Sequence, residues 1–471
     1  MAHSQQINSI LKKKGQRQIN LYCSVPPPFS VVLGSSPSFF IKDINSLAIL
    51  RRSSFSTTAT SSGRVSLIVF LVSLLIHQSL SAVRSHHTGE RDTVIEILSK
   101  LPPESLLRFK SVCKSWYALI DNPKFVTKHL LNSFSHKHVL IKRALTNSSR
   151  EQELVFSILK FSFDRSLSIM NINLPFQEID PLLEICGHSH GLVCLTDCDD
   201  AFLVNPMTKQ SRKLPPSILI FRTGSYDPYS YSAVPFSIGF GYDAKSNDFK
   251  VVRIVSFRGY STMVMCPHMR VEIYDLSKDK WREIEAPPFC GDAHCTPHFD
   301  MYHEGTFYFW GHGESSIFEA DHIVTFDMSQ EVFSKISVPE SYDDKKHKTS
   351  LGVLNRSMVL FVYPFESNEK NIDIWEMEKN ESSVVSWSKL LTIDPTLGIE
   401  HPLLFVSSEE LLMESSEGHV IMYNTKTHRF KKLPIEGEVT YTKPNRFEAT
   451  DLFIKSLVSV EGGRDMINYA F

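Results

Sequence analysis

Between Asp92 and Leu131 the chain reads DTVIEILSKLPPESLLRFKSVCKSWYALIDNPKFVTKHLL, and its apolar positions recur at helical spacing. Val94, Ile97, Leu98 and Leu101 form a first set, for which Asp92 is placed as the N-cap. Pro102 and Pro103 close that helix, because proline lacks the amide a helix needs and pushes its predecessor out of α geometry. A second set follows at Leu106, Leu107, Phe109, Val112 and Cys113, and a third at Trp116, Leu119 and Ile120. The spacing predicts three short amphipathic helices, too few residues to bury a generous core alone. A helical unit with that much apolar surface left over is built to dock.

From His136 onward the period changes. Short runs rich in β-branched and aromatic residues appear at Val139 to Ile141, Leu154 to Phe163, Phe202 to Val204, Phe249 to Val255, Thr306 to Trp310, Met358 to Tyr363 and Val420 to Tyr423. Asn, Asp, Gly and Ser clusters bound them, which is a strand-and-turn signature. No long helical stretch interrupts, which argues against an α/β fold. A loose repeat runs through this region: a strand, a polar turn headed by Asp or Asn, and a second strand ending near Pro. Its copies start from Leu203-Val204-Asn205, Ile273-Tyr274-Asp275, Val324-Thr325-Phe326-Asp327 and Met422-Tyr423-Asn424, with Ile372 to Trp387 as a divergent one. Hairpins of this kind suit the outer strands of propeller blades, with the Asp or Asn capping its own turn. At about 40 to 50 residues per blade, the region predicts roughly six to eight blades.

A chain of 471 residues suggests two or more units, and 42% hydrophobic with 22% charged residues is ordinary for a globular protein. The formal net charge of -2 hides an asymmetry. Residues 1–89 carry nine Lys or Arg and one acid, Asp43, so residues 90–471 carry a net charge of -10. An acidic body repels phosphate backbones and favours basic partners, which weighs against nucleic acid. The eight cysteines are sparse and irregular, as expected of reduced thiols rather than a disulfide framework.

Residues 1–89 differ from the rest: rich in Ser, poor in acids, and without sustained periodicity before Arg64. An apolar run from Val65 to Ile76, extended to Val83, is a marginal membrane-spanning candidate. Three readings compete for it: a signal anchor, an acid-poor transit sequence, and an extension without structural role. The last is favoured, since an apolar run so near the first helix would press the helical unit against a membrane. The expected organisation is an extension over 1–89, a helical unit over 90–132, a β-region over 136–460 and a tail over 461–471.

The helical segment resembles the F-box. In that family an IL-x-x-LP turn, a following LL pair and a VCKxW segment bind the Skp1-type adaptor of cullin-based ubiquitin ligases. They stand here as Ile97-Leu98, Leu101-Pro102, Leu106-Leu107 and Val112-Cys113-Lys114-Ser115-Trp116. The resemblance implies adaptor contacts by Ile97, Leu98, Leu101, Pro102, Leu106, Leu107, Phe109, Val112, Cys113 and Trp116. One departure is that Gly89-Glu90-Arg91-Asp92 replaces the family's Leu-Pro before the first helix.

The β-region resembles the kelch-like F-box-associated domain of plants. The match is carried by Gly187-His188-Ser189-His190-Gly191-Leu192-Val193-Cys194, Asn205-Pro206-Met207-Thr208, Gly239-Phe240-Gly241-Tyr242-Asp243, Phe249-Lys250-Val251-Val252, Ser386 to Ile393 and Gly398 to Pro402. The last two segments and Gly239 to Asp243 look most like the S-locus F-box group of the rose family, whose members recognise basic pistil ribonucleases. Together the resemblances imply an α+β multidomain chain, a small three-helix F-box followed by an all-β propeller. They imply a non-catalytic substrate receptor, cytoplasmic or nuclear, that joins a cullin through the adaptor and holds a basic protein target. Asp197, Asp199 and Asp200 are the candidate target-binding acids. The alternative is a membrane-tethered propeller acting outside any ligase.

No cofactor is expected. Cys290, His294, Cys295 and His298 are plausible zinc ligands, but neither their spacing nor the nearby Cys266, His268 and His303 fits a standard zinc site. Gly187-His188-Ser189-His190-Gly191 matches the nucleophile-elbow pattern literally, yet that motif needs a following helix, and Leu192 to Leu195 reads as a strand. Trp116, Trp281, Trp310, Trp375 and Trp387 are expected in the core.

Overall fold

In this computed structural model the described residues run from 88 to 461. Excepted are the connections 135–136, 147–151, 162–166, 173, 175–182, 198–199, 221–230, 260–267, 287–300, 313–319, 340–341, 343–346, 365–368, 380–384 and 436–447. The apolar run at 65–83, Asp199, and the ligand candidates Cys266, Cys290, His294, Cys295 and His298 all lie outside the described residues. Among the described residues no helix is long and apolar enough to cross a membrane.

Four helices open the described chain, where three were expected: α1 (Thr88–Leu98), α2 (Pro103–Lys110), α3 (Lys114–Ile120) and α4 (Pro123–Ser133). The fourth carries a sequence signal that the apolar spacing alone does not show. Asn122 accepts a hydrogen bond from the Lys124 amide, and Pro123 occupies the first helical position, where its missing N–H costs nothing. Asp92 sits inside α1 rather than capping it, because the helix begins four residues earlier.

Among the described residues twenty-four strands follow in six four-stranded antiparallel sheets, which fixes the blade number at six. Blade II comprises β4 (Glu184–Ser189), β5 (Leu192–Thr196), β6 (Ala201–Asn205) and β7 (Gln210–Lys213). Blade III comprises β8 (Tyr231–Asp243), β9 (Asp248–Gly259), β10 (His268–Asp275) and β11 (Lys280–Ile284). Blades IV, V and VI take β12–β15 (301–337), β16–β19 (347–397) and β20–β23 (399–432) in turn. Blade I joins both ends of the domain: β24 (Glu448–Ile454) pairs antiparallel with β1 (Lys137–Thr146), followed outward by β2 (Gln152–Phe161) and β3 (Leu167–Ile172). The first strands of successive blades approach one another about the axis, and β24 takes that inner place in blade I. Closure therefore depends on hydrogen bonds between segments some 300 residues apart in sequence.

The Asp/Asn repeat is the turn between third and fourth strands. Asn205 accepts from the amides of Met207 and Thr208, Asp327 from those of Ser329 and Gln330, and Asn424 from that of Thr427. Four residues after each turn-heading Asp or Asn the backbone enters the left-handed region, at Lys209, Asp279, Glu331 and His428. The side-chain acceptor holds the turn's free amides, which offsets the strain of a positive φ at a non-glycine residue.

Between blades the sheets bury Phe, Val, Ile and Leu from facing strands, as where Val252, Ile254 and Ile273 meet Phe307, Phe309 and Val324. Trp116, Trp281 and Trp310 are buried, while Trp375 and Trp387 pack half-buried against a core of blades IV and V. Close approach at the axis explains two glycines. A Cβ on Gly239 would sit 2.4 Å from the Phe307 ring, and one on Gly241 2.1 Å from that of Tyr302.

Candidate functional site

The helical unit sorts its apolar residues into two populations. Leu98, Leu106, Phe109, Trp116, Ile120, Phe125 and Leu130 are buried. Phe109 and Trp116 meet edge to face with ring centroids 5.0 Å apart, holding α2 against α3. Thus Leu98, Leu106, Phe109 and Trp116, all expected among the adaptor contacts, lie in the interior of the helical unit. The physical reason is helical period: on an eight-residue helix Leu106 and Phe109 share the inner face, while Leu107 is turned about 100° away.

The outward population is different. Ile97 and Pro102 are exposed, Leu101 and Leu107 half-buried, Val112 57% exposed, and the Cys113 thiol is free and exposed. Tyr117, 52% exposed and outside the set the resemblance implies, joins them. Lys110 lies 5.4 Å above its ring and forms an ion pair with Asp121 at 2.6 Å, so the apolar patch has a charged border. The signal was available: Tyr117 falls one residue after the inward Trp116 and must face elsewhere.

Helix α4 ties this unit together and anchors it. On one side the His129 ring nitrogen Nε2 bonds the Leu101 carbonyl at 3.0 Å, and Asn132 donates to the Ser99 hydroxyl at 2.8 Å. Burial pushes the His129 pKa down. Lys128 and Lys100 both pair with Glu96 and hold its carboxyl down at about 2. On the other side Leu130 enters a propeller core with Cys186, Leu192, Cys194, Phe240, Val458 and Val460, flanked by Val126 and Phe134. The spacing 126, 130, 134 is a helical stripe. Lys455, just past β24, adds an ion pair to Glu104 of α2 at 2.8 Å. The helices therefore sit on the propeller as one packed body.

That docking orients the propeller. The Phe134 ring lies 6.0 Å from that of His190, in the tight β4–β5 turn. In an antiparallel blade the first and third turns leave by one face and the second by the other. The helices thus occupy the face of the short turns. The β5–β6 connection holding Asp197 and Asp200 leaves by the opposite face, one five-residue strand or about 16 Å away. Both described acids are engaged there. Asp197 accepts from the Asp200 amide at 2.8 Å, and Asp200 pairs with Lys213 at 2.6 Å. Lys213 therefore offsets the charge of Asp200, while among the described residues that of Asp197 has only the amide.

The Gly-His-Ser-His-Gly segment is a β-hairpin and not a strand-turn-helix elbow, since β4 runs straight into β5. Ser189 is buried with its hydroxyl 2.8 Å from His190 Nδ1. The His190 ring lies tilted against that of Tyr242, centroids 4.4 Å apart, and burial holds its pKa down at about 4. Gly191 has φ +84, and a Cβ there would lie 2.3 Å from the Ser456 hydroxyl. The motif's glycine serves the contact between this hairpin and the chain leaving β24. Asn205 of the Asn-Pro-Met-Thr motif serves the same strap, donating to the carbonyls of Val458 at 2.7 Å and Ser456 at 3.3 Å.

Two charge clusters stiffen blade III. Arg253 and Glu272 are buried as a pair at 3.0 Å, with Arg253 4.7 Å from the Trp281 ring. Glu272 also accepts from Ser217 and from the Ile218 amide, fixing the segment that leaves β7. Lys250 pairs with Asp243 at 2.7 Å and with Glu331 of blade IV at 2.8 Å. Arg282 joins Glu331 as well, and hydrogen bonds from Lys250, Ser246 and Ser329 hold Asp243 at about 2. Among the described residues no group of His, Cys, Asp and Glu is arranged to hold a metal ion.

Comparison with known proteins agrees with this arrangement. Residues 91–128 match the F-box domain family, and residues 144–460 match the family described as the F-box associated beta propeller domain. The chain is similar to F-box protein CPR1 of Arabidopsis thaliana, with 26% identity over 406 residues, 80% of this chain and 91% of that protein. It is also 27% identical over 386 residues to an F-box/kelch-repeat protein of the same plant, covering 80% of this chain and 96% of the relative. With four docked helices ahead of six blades, the chain belongs to the F-box proteins that carry an F-box-associated β-propeller.

Proposed function

We propose that this chain is the substrate receptor of a Skp1–cullin–F-box ubiquitin ligase, working in the cytoplasm or nucleus. The observation that carries the reading is the polarity of the molecule. Exposed Ile97, Pro102, Val112, Cys113 and Tyr117 and half-buried Leu107 lie outward on a helical unit that buries its own core. The second strand of each blade ends, and the third begins, on the face opposite to that unit. The adaptor takes the patch, and a target protein takes the loop-bearing face. The chain performs no chemistry in this reading. It raises the effective concentration of target lysines at the charged E2 by holding both in one assembly.

Docking of α4 on the propeller supports the same reading, because a rigid connection fixes the distance between target and adaptor. A basic target is favoured by the net charge of -10 on residues 90–471. The S-locus group and a pistil ribonuclease remain the candidate assignment within that class, supported by the Gly239–Asp243 and Gly398–Pro402 motifs. Affinity purification of the full chain from plant tissue tests the proposal. Recovery of a Skp1-like adaptor and a cullin is expected, and their absence would sink it.

A further inference from the structure

The acidic body contains one sharp exception. From Lys426 to Lys432 the chain is free of any acid: Lys426, Thr427, His428, Arg429, Phe430, Lys431 and Lys432 hold four Lys or Arg and one His. The last four residues are β23 (Arg429–Lys432), the outer strand of blade VI. Every residue of β23 is exposed, whereas each other outer strand has at least one residue buried or half-buried. Lys426 is paired with Glu409 at 2.5 Å. Among the described residues Arg429, Lys431 and Lys432 make no ion pair.

The inner edge of β23 is used by β22 (Val420–Asn424), with Met422 opposite Lys431 and Asn424 opposite Arg429. Among the described residues no further strand pairs with its outer edge. Alternation along a strand puts Arg429 and Lys431 on one face, and Phe430 and Lys432 on the other. Phe430 rests on Tyr423 at 4.8 Å between ring centroids yet stays 40% exposed. An open edge thus offers unpaired backbone groups, two cations on one face, and an aromatic with a third cation on the other.

We propose that β23 is a docking edge for an extended acidic segment of a partner protein, which adds a fifth strand to blade VI. Its carboxylates, spaced two residues apart, meet Arg429 and Lys431, and its intervening apolar residue covers Phe430. This surface is separate from both the adaptor patch and the face bearing Asp197, and it does not depend on the ligase assignment. Lysines on an edge strand also serve to prevent edge-to-edge aggregation. The experiment separates the two roles.

The probe is a fluorescein-labelled octapeptide alternating Glu and Val, titrated with the full-length protein by anisotropy. The parent should bind it, more weakly as salt rises above about 0.1 M. The triple variant Arg429→Ser, Lys431→Ser, Lys432→Ser should bind about tenfold more weakly, from loss of the two exposed ion pairs at Arg429 and Lys431. The same peptide N-methylated at alternate residues should lose binding to the parent by a similar factor, because its backbone cannot join the ladder. That arm stands even if the triple variant aggregates. Equal binding of the methylated peptide, or equal binding by a soluble triple variant, overturns the proposal. So does a parent that ignores the peptide while binding anionic vesicles or single-stranded RNA, or one whose triple variant differs only in aggregating.

Discussion

Leu106 and Leu107 are adjacent in sequence and opposite in role, which makes them the sharpest test of the adaptor surface. Leu107 is half-buried in the free chain, so covering its remaining surface is worth about 1 kcal/mol, half of a full leucine burial. Replacing it by Asp loses that term and forces an unpaired carboxylate into an apolar contact, adding at least about 2 kcal/mol. The sum, about 3 kcal/mol, corresponds to roughly a hundredfold weaker adaptor binding. Because the side chain points outward, the melting temperature should barely move. Leu106 is 0% exposed, so Leu106→Ala leaves a cavity beside Phe109 and should cost about 2–5 kcal/mol of stability. The assay is titration of a purified Skp1-like adaptor against each full-length variant, alongside thermal melts by circular dichroism. If a fully folded Leu107→Asp protein binds adaptor within about threefold of the parent, the outward patch is not the adaptor site and the reasoning fails.

Other expectations follow from the docking and the strap. Leu130→Asp places a charge in the core shared by α4 and the propeller and should release the helices, seen as new protease cleavage near residue 134 while the propeller's β signal persists. Asn205→Ala leaves two carbonyls of the 456–458 strap without their donor and should lower stability by about 1–3 kcal/mol, measured by urea unfolding. For His190 the folded pKa is about 4, below its usual value near 6.5. The unfolded chain then takes up the proton first, so its contribution is intact above about pH 6.5 and is lost progressively toward pH 4, by at most about 3 kcal/mol. Because His190 has a φ of 53, Asn is the substitution that tolerates its backbone, and His190→Asn should therefore show a melting temperature that falls less steeply than the parent's between those limits. A parallel decline would assign the pH dependence to other groups.

Much of this molecule is legible in its residues taken locally. The period change near His136 separates helices from strands, and six of the seven strand runs quoted from the sequence lie wholly on observed strands, the seventh, from Leu154, being strand as far as Phe161. The Asp/Asn repeat fixes the outer hairpins because its chemistry is confined to five consecutive residues: a side-chain acceptor, two amides and a left-handed position. The F-box spacing is likewise local. The blade number is not, because blade I is split between the two ends of the domain and connections such as 287–300 stretch the repeat unevenly.

Burial is the other property that local spacing leaves open. Spacing identified Leu98, Leu106, Phe109 and Trp116 as apolar and facing something, but a short helix has two apolar edges, and only packing shows which one its neighbours cover. The same holds for charge. Asp197 and Asp200 look free in the sequence and are occupied by their own turn and by Lys213, while the basic β23 was hidden inside an acidic average. The sequence by itself determined the element types, the turn chemistry and the family. The tertiary structure alone decided the sixfold closure through β24, the seating of α4 on blade II, and which side chains remain for partners. Those depend on contacts between segments hundreds of residues apart, which no local pattern encodes.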